Sequence, residues 1–333
     1  MSPFKINTGS CRSFFIFIFR SLCYGVLLAI VVQSLFFQSF RIGSPTMENT
    51  FSIGDFVLVS KFEHGVRLPI TPLSIPFIAN TIPLTHIKSY STAIELPPLR
   101  LPGILRIKQN DLVVFNSIKD SDLPLDKCPL ELRRCIAIPA DTVQYKNGNW
   151  FINNQTLQLP PNMRISCQLF DPTHQADSAS LAKYGITHEK YDSLRNCYIT
   201  ALSHRNLDKL RADSLFRHIE INRTANNTTC NYTTIEKSLI ESQKFVVPKK
   251  GRAIELNLKN IALYKYIILH TERKKLELTN NQIFIDGNKT DFYIFENNYY
   301  LALCDNIELN ADIYFVPDKN IIGKAKFVWF STF

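Results

Sequence analysis

Arg41-Ile42-Gly43-Ser44-Pro45-Thr46-Met47-Glu48-Asn49-Thr50-Phe51-Ser52-Ile53-Gly54-Asp55 follows directly on a hydrophobic segment. That segment, Ser21–Phe37, has 17 residues and no charge. As a helix rising ~1.5 Å per residue it spans about 26 Å, slightly short of a ~30 Å hydrocarbon core. Phe14–Phe19 precede it, and Arg20 between them can snorkel to the interface. The expected transmembrane helix is therefore residues 14–38. Lys5, Arg12 and Arg20 stand on its N-terminal side. The positive-inside tendency then makes 1–13 a cytoplasmic N-terminus and puts everything after about residue 40 outside. The apolar run exceeds a usual signal-peptide core and no Ala-x-Ala pattern follows, so an uncleaved anchor is favoured over a cleaved leader. No second span is visible, and Phe327-Val328-Trp329-Phe330 reads as a final strand.

The chain has 333 residues, 45% of them apolar and 12% aromatic, enough to build a sizeable core. Its net charge is +9. Residues 1–47 hold Lys5, Arg12, Arg20 and Arg41 and no acid, giving +4. The other 34 basic and 29 acidic residues give +5. Charge this dilute suits a surface near anionic membrane lipid. It is not concentrated enough for nucleic acid, and no aromatic-basic motif accompanies it. Cys11, Cys23, Cys128, Cys135, Cys167, Cys197, Cys230 and Cys304 include no Cys-x-x-Cys pair, so no metal or other cofactor is expected. The last six are expected as buried thiols, with disulfides the alternative in an oxidising compartment.

Past the anchor the pattern is mostly β. Residues 54–62 read as a strand, Leu112–Phe115 as a short buried one, and Arg134–Ile138 as another, closed by Pro139-Ala140-Asp141. Val143–Tyr145 and Trp150–Ile152 flank Asn147-Gly148-Asn149 as a hairpin. Residues 66–104 are rich in Pro and Thr. Residues 160–245 are polar and partly helical in pattern, as in Ser178–Tyr184 and His188–Cys197, and read as an inserted subdomain. From Phe245 the β pattern resumes, with Asp286-Gly287-Asn288 a tight turn after Ile283–Ile285. The expected organisation is a core over 39–159 and 246–333, interrupted by 160–245.

The opening stretch resembles the active-site entry of bacterial type I signal peptidases, which carry Ser-Met-x-x-Thr-Leu-x-x-Gly-Asp just outside the membrane. Met47, Thr50, Gly54 and Asp55 fall in register, and Thr46 stands at the nucleophile position. Lys108–Phe115 is similar to the family's Arg-Gly-Asp-Val-Val-Val-Phe strand. Glu131–Asp141 is similar to Tyr-Ile-Lys-Arg-x-x-x-x-Pro-Gly-Asp, and Phe315–Pro317 through Gly323–Ala325 to the closing segment. The insertion and Pro248-Lys249-Lys250-Gly251 resemble a long-insert subfamily. The resemblance implies a mainly β fold, an antiparallel sheet or barrel behind one transmembrane helix. It also implies a bacterial inner-membrane location and signal peptides of exported preproteins as substrates.

In that family a Ser nucleophile is activated by a Lys that must be neutral. Here the general-base position holds Arg133, whose guanidinium does not give up its proton in a protein. The methyl of Thr46 crowds the attack. Ser44 takes the oxyanion-hole position, and Phe40, Ile42, Met47 and Leu132 the apolar lining of the small-residue pockets. Glu131 replaces an aromatic and puts a charge at the groove. Of the segment supporting the base, Asp305 and Asp312 remain, while Ile307 and Asn310 replace the family's Arg and Ser. The favoured expectation is an inactive or strongly weakened protease whose cleft holds an extended peptide, or a protein partner, as an added strand. The alternative is an active enzyme using Thr46 and another base, such as Lys127 or a His. A plainer reading makes Arg133 and Arg134 a solvated or lipid-facing basic pair and Ser44 a turn residue.

Overall fold

A computed structural model describes residues 8–44, 47, 50–75, 78, 80–82, 87–118, 123–146, 149–160, 164–170, 178–184, 186, 190–193, 196–213, 216, 218–221, 239–240, 243–305 and 313–331. Helix α1 (Thr8–Leu35) has no acid in its first turn. It contains an apolar window, Ser13–Val32, none of which is buried against the rest of the protein. A helix this apolar that the fold does not cover is suited to lipid. It is long and apolar enough to cross a bilayer, fitting a membrane-anchored protein. It stops three residues short of the expected boundary at 38, because Phe37 already pairs with Ser60 in a strand. The Phe36 and Phe37 rings pack on Phe62 there, at 6.4 and 5.6 Å between centroids.

Four strands then carry the candidate site: β1 (Phe37–Arg41), β2 (Phe56–Ser60), β3 (Leu112–Asn116) and β4 (Leu130–Ala137). They belong to a seven-stranded sheet in the order β1, β2, Ile321–Phe330, β3, β4, Tyr299–Leu303, Ile313–Pro317. Every neighbouring pair is antiparallel. One core joins Phe40 and Ile42 to Val57, Val59, Val114 and Leu132, so β1 and β4 share a core despite the three strands between them. The sheet is therefore curled, in the barrel-like manner expected. A second core covers Val113, Phe115, Cys135 and Tyr314. Gly323 sits where the closing strand crosses β2; a Cβ there would lie 2.1 Å from the Ser60 carbonyl oxygen.

β4 begins at Leu130, four residues before the strand expected from Arg134. Both arginines therefore lie within a central strand, 6% and 5% exposed. This overturns the solvated basic pair: a central strand offers its side chains to two packed faces, and each cation has an acidic partner, fully buried Asp305 for Arg134 and half-buried Glu131 for Arg133.

The Thr142–Lys146 and Asn149–Ile152 strands form the expected hairpin, with turn residues 147–148 outside the described set. Over 164–221 a four-stranded sheet and the helices Ser178–Lys183 and His204–Ala212 enclose a separate cluster that includes Leu169, Leu181, Leu202 and Leu210. The helical pattern expected over His188–Cys197 is not what forms. Lys190–Asp192 and the start of Cys197–Ser203 pair as strands, with the Tyr191 and Tyr198 rings 4.9 Å apart. The helix starts later, where the Ser203 hydroxyl accepts from the Asn206 amide. In the C-terminal part, Asn280 and Asn281 (φ 50° and 60°) make a two-residue hairpin turn, and Asp286-Gly287 (φ 51° and 80°) makes the next. Cys128, Cys135, Cys167, Cys197 and Cys304 are buried thiols; Cys230 lies outside the described residues.

Candidate active site

The opening stretch leaves the sheet at the end of β1 and returns at the start of β2. The Ile42 amide donates to the Asp55 carbonyl (2.8 Å) and the Gly54 amide to the Ile42 carbonyl (2.9 Å). Gly54 has φ 97°, a conformation that costs glycine little. The Asp55 carboxylate accepts from the Ser52 amide at 2.8 Å, which closes the loop. Met47 pins its middle. The Met47 carbonyl accepts from the Thr50 and Phe51 amides, and its side chain, 1% exposed, packs with Ile42 and Leu132. Three of the four residues expected to line the pocket are thus buried together, with Phe40 at their margin. Ser44 is exposed in the segment between Ile42 and Met47. Thr46, Asn310 and Asp312 lie outside the described residues.

Asp305, expected to support the site, is fully buried and reaches this loop through Arg134. The Arg134 Nε donates to Asp305 Oδ1 at 2.7 Å and Nη2 to Oδ2 at 2.5 Å, a bidentate fork. Nη1 donates to the Asn110 carbonyl and Nη2 also to the Thr50 hydroxyl at 3.2 Å. Thr50 in turn donates to Asp305 Oδ2 at 2.5 Å, and the Asp305 amide meets Met47 Sδ at 3.4 Å. A buried charge is tolerated when paired and hydrogen-bonded, and here every arm of the fork has an acceptor. Sequence reasoning did not assign Arg134 this role. An arginine inside a strongly β-forming run needs a buried acid, and Asp305 was the candidate in view.

Arg133 alternates to the other side of β4. Its Nη1 donates to the carbonyl of Leu132 (2.8 Å), Nη2 lies 3.2 Å from Glu131 Oε2, and the guanidinium carbon stands 5.6 Å from the Tyr314 ring centre. Two departures from the family pattern thus answer each other: the charge at Glu131 meets the charge at Arg133. Arg133 is a fixed cation and a donor, with no means of accepting a proton.

Among the described residues, β1 has one strand neighbour, β2. The pairing of β4 with Tyr299–Leu303 begins at Arg134, so among the described residues no strand covers Leu130–Leu132 on that side. Both edges border the core of Phe40, Ile42, Met47 and Leu132. Two such edges offer the main-chain donors and acceptors that an extended peptide needs. No group of three or more His, Cys, Asp or Glu residues suited to a metal occurs among the described residues.

The sequence profile described as "Signal peptidase, peptidase S26" matches residues 16–214, more than half of the chain. Signal peptidase I of Buchnera aphidicola subsp. Schizaphis graminum (strain Sg) is 23% identical over 311 residues, covering 91% of this chain and 71% of the relative. That of the Baizongia pistaciae subspecies (strain Bp) is 22% identical over 91% of this chain and 73% of its own length. Signal peptidase I of Haemophilus influenzae is 22% identical over 94% of this chain and 69% of its own. The membrane-suited helix, the curled sheet and these matches agree, and the chain belongs to the peptidase S26 family of bacterial type I signal peptidases.

Proposed function

We propose that this protein is a membrane-anchored signal-peptidase-I-like protein whose substituted dyad leaves it inactive or nearly so, and that its cleft binds signal peptides of exported preproteins or a protein partner. The observation that carries this is the state of Arg133. It is buried, paired with Glu131 and donating to Leu132. A general base must accept the proton of the nucleophile, and a guanidinium, which keeps its proton in proteins, does not. The retained apolar lining and the Arg134–Asp305 fork support a cleft that keeps its shape without the chemistry. In this reading Thr46 and Ser44 keep the nucleophile and oxyanion-hole positions without turning substrate over. The protein lies in the bacterial inner membrane with its N-terminus in the cytoplasm.

The competing reading is an active enzyme with Thr46 as nucleophile and a base from elsewhere. The amine best tuned for that is Lys61, which burial and the nearby Arg67 push down to about 8. Yet the Lys61 amide bonds the Phe36 carbonyl, at the opposite end of β1 from Ser44. The five residues of β1 put roughly 15 Å between those ends. Lys127, another candidate base, borders the same cavity as Lys61. Cleavage of a preprotein by the full-length protein in liposomes, beside Thr46→Ala, separates the two readings.

A further inference from the structure

At the Gln38 end of β1, beside Leu130 at the start of β4, is a cavity of about 420 Å³. Its polar lining is Gln38, Lys61, Arg67, Asn80, Asp126 and Lys127. Three cations face one acid, an excess of two positive charges. The acid offsets part of this: Asp126 Oδ2 accepts from the Thr71 amide (3.0 Å) and hydroxyl (2.8 Å), its Oδ1 is buried without a partner among the described residues, and its charge favours the Arg67 cation. Arg67 is held in place by the Lys319 carbonyl (3.0 Å) and Asn116 Oδ1 (2.6 Å), and the Lys127 ammonium stands 5.0 Å from the Tyr90 ring centre. Burial, with Arg100 close by, pushes Arg67 down to about 10. Desolvated cations crowded together are stabilised by an anion.

The position of the cavity says which anion. The Lys61 amide donates to the carbonyl of Phe36 at 2.8 Å. Phe36 is four residues, about 6 Å of helix, beyond Val32 at the end of the apolar window. The polar layer on each side of a bilayer is roughly 5–8 Å thick. The Lys61 backbone, at one wall of the cavity, therefore sits at about headgroup depth. Close by, the arm rooted at the Arg67↔Arg100 bridge exposes Leu99, Leu101, Ile104 and Leu105, apolar surface suited to acyl chains.

We propose that this cavity binds the phosphate of an anionic membrane lipid, with Lys61, Arg67 and Lys127 as its charged ligands. Binding a phosphate there requires no cleavage, although Gln38 of β1 and Leu130 of β4, on the two open edges, also line the cavity. Its role is to seat the curled sheet at a fixed height on the membrane.

The test is amine-reactive labelling of Lys61 at pH 8, quantified by mass spectrometry on the full-length protein in nanodiscs. At that pH about half of an amine with pKa near 8 is reactive, and a bound phosphate raising it by about one unit or more slows labelling about fivefold or more. Slowing of that size is expected in phosphatidylglycerol relative to phosphatidylcholine. Exposed Lys289 should label equally in both, and Lys127→Gln should lose the difference. Inorganic phosphate, added to protein in phosphatidylcholine, should leave Lys61 labelling unchanged. Equal protection by inorganic phosphate would overturn the lipid assignment. Protection by a preprotein alone would make the cavity a remote peptide subsite, and equal labelling in the two lipids would remove the site.

Discussion

Changing Thr46 to Ser and Arg133 to Lys restores the family's residue types at both dyad positions, and the structure predicts that this does not restore the enzyme. The obstacle is Glu131, whose carboxylate lies 3.2 Å from Arg133 Nη2. A lysine at 133 would keep Glu131 two residues away on the same strand face. A neighbouring carboxylate favours the charged ammonium by about 1–3 units. Near neutral pH that lowers the neutral, base-competent fraction by about tenfold to a thousandfold. Initial rates of preprotein cleavage by the double variant, measured from pH 6.5 to 10, should be absent or marginal near neutrality. Any activity should rise with pH across that range, because only the deprotonated lysine accepts the serine proton. Adding Glu131→Gln should raise the rate at pH 7.5 by about tenfold or more. On the proposed reading, Ile307 and Asn310 in place of the family's Arg and Ser should hold even this triple variant below full activity. Full activity of the double variant at neutral pH would refute the reasoning.

Three further outcomes follow from the packing. Asp305→Asn leaves the buried Arg134 without its carboxylate and should cost about 3–5 kcal/mol of stability, read as a fall in denaturant midpoint at unchanged slope. Gly323→Ala sets a methyl against the Ser60 carbonyl oxygen, and should lower the melting temperature more than Gly43→Ala, where a Cβ meets nothing within 4 Å. Asp318 is pushed up by burial but held below the usual carboxylate range by the hydrogen bond from His64 and by Arg100. Its depressed folded value adds stability that is present above the unfolded pKa of about 4 and lost as pH falls below it. Unfolding followed from pH 6 to 2 should show this acid loss, and Asp318→Asn should flatten it.

Much of this molecule is legible in its sequence because the signals are local. A chargeless apolar run forms the second half of α1, Leu112–Phe115 forms a buried strand, and Asn or Asp-Gly pairs turn hairpins at 280–281 and 286–287. What the sequence hides is long-range. The start of β4 at Leu130 depends on pairing with Leu112–Asn116, which no local pattern reveals. With that register, Arg133 and Arg134 move from expected surface to observed core, on opposite faces of one strand. The Arg134–Asp305 fork joins residues 171 apart in sequence. Helical patterning over His188–Cys197 loses to cross-strand pairing of Tyr191 with Tyr198 for the same reason. The Glu131–Arg133 pair was visible as two separate departures from the family pattern. Their compensation needed the spacing of β4, which puts alternate residues on one face.

The central claim is that Arg133 cannot serve as base and that no other group replaces it. Preprotein cleavage by the purified full-length protein in liposomes, beside Thr46→Ala, tests it most directly. The account predicts no cleavage by either protein, with the preprotein still bound by both. Cleavage by the natural sequence that disappears in Thr46→Ala would contradict it, making Thr46 a working nucleophile served by a base other than Arg133.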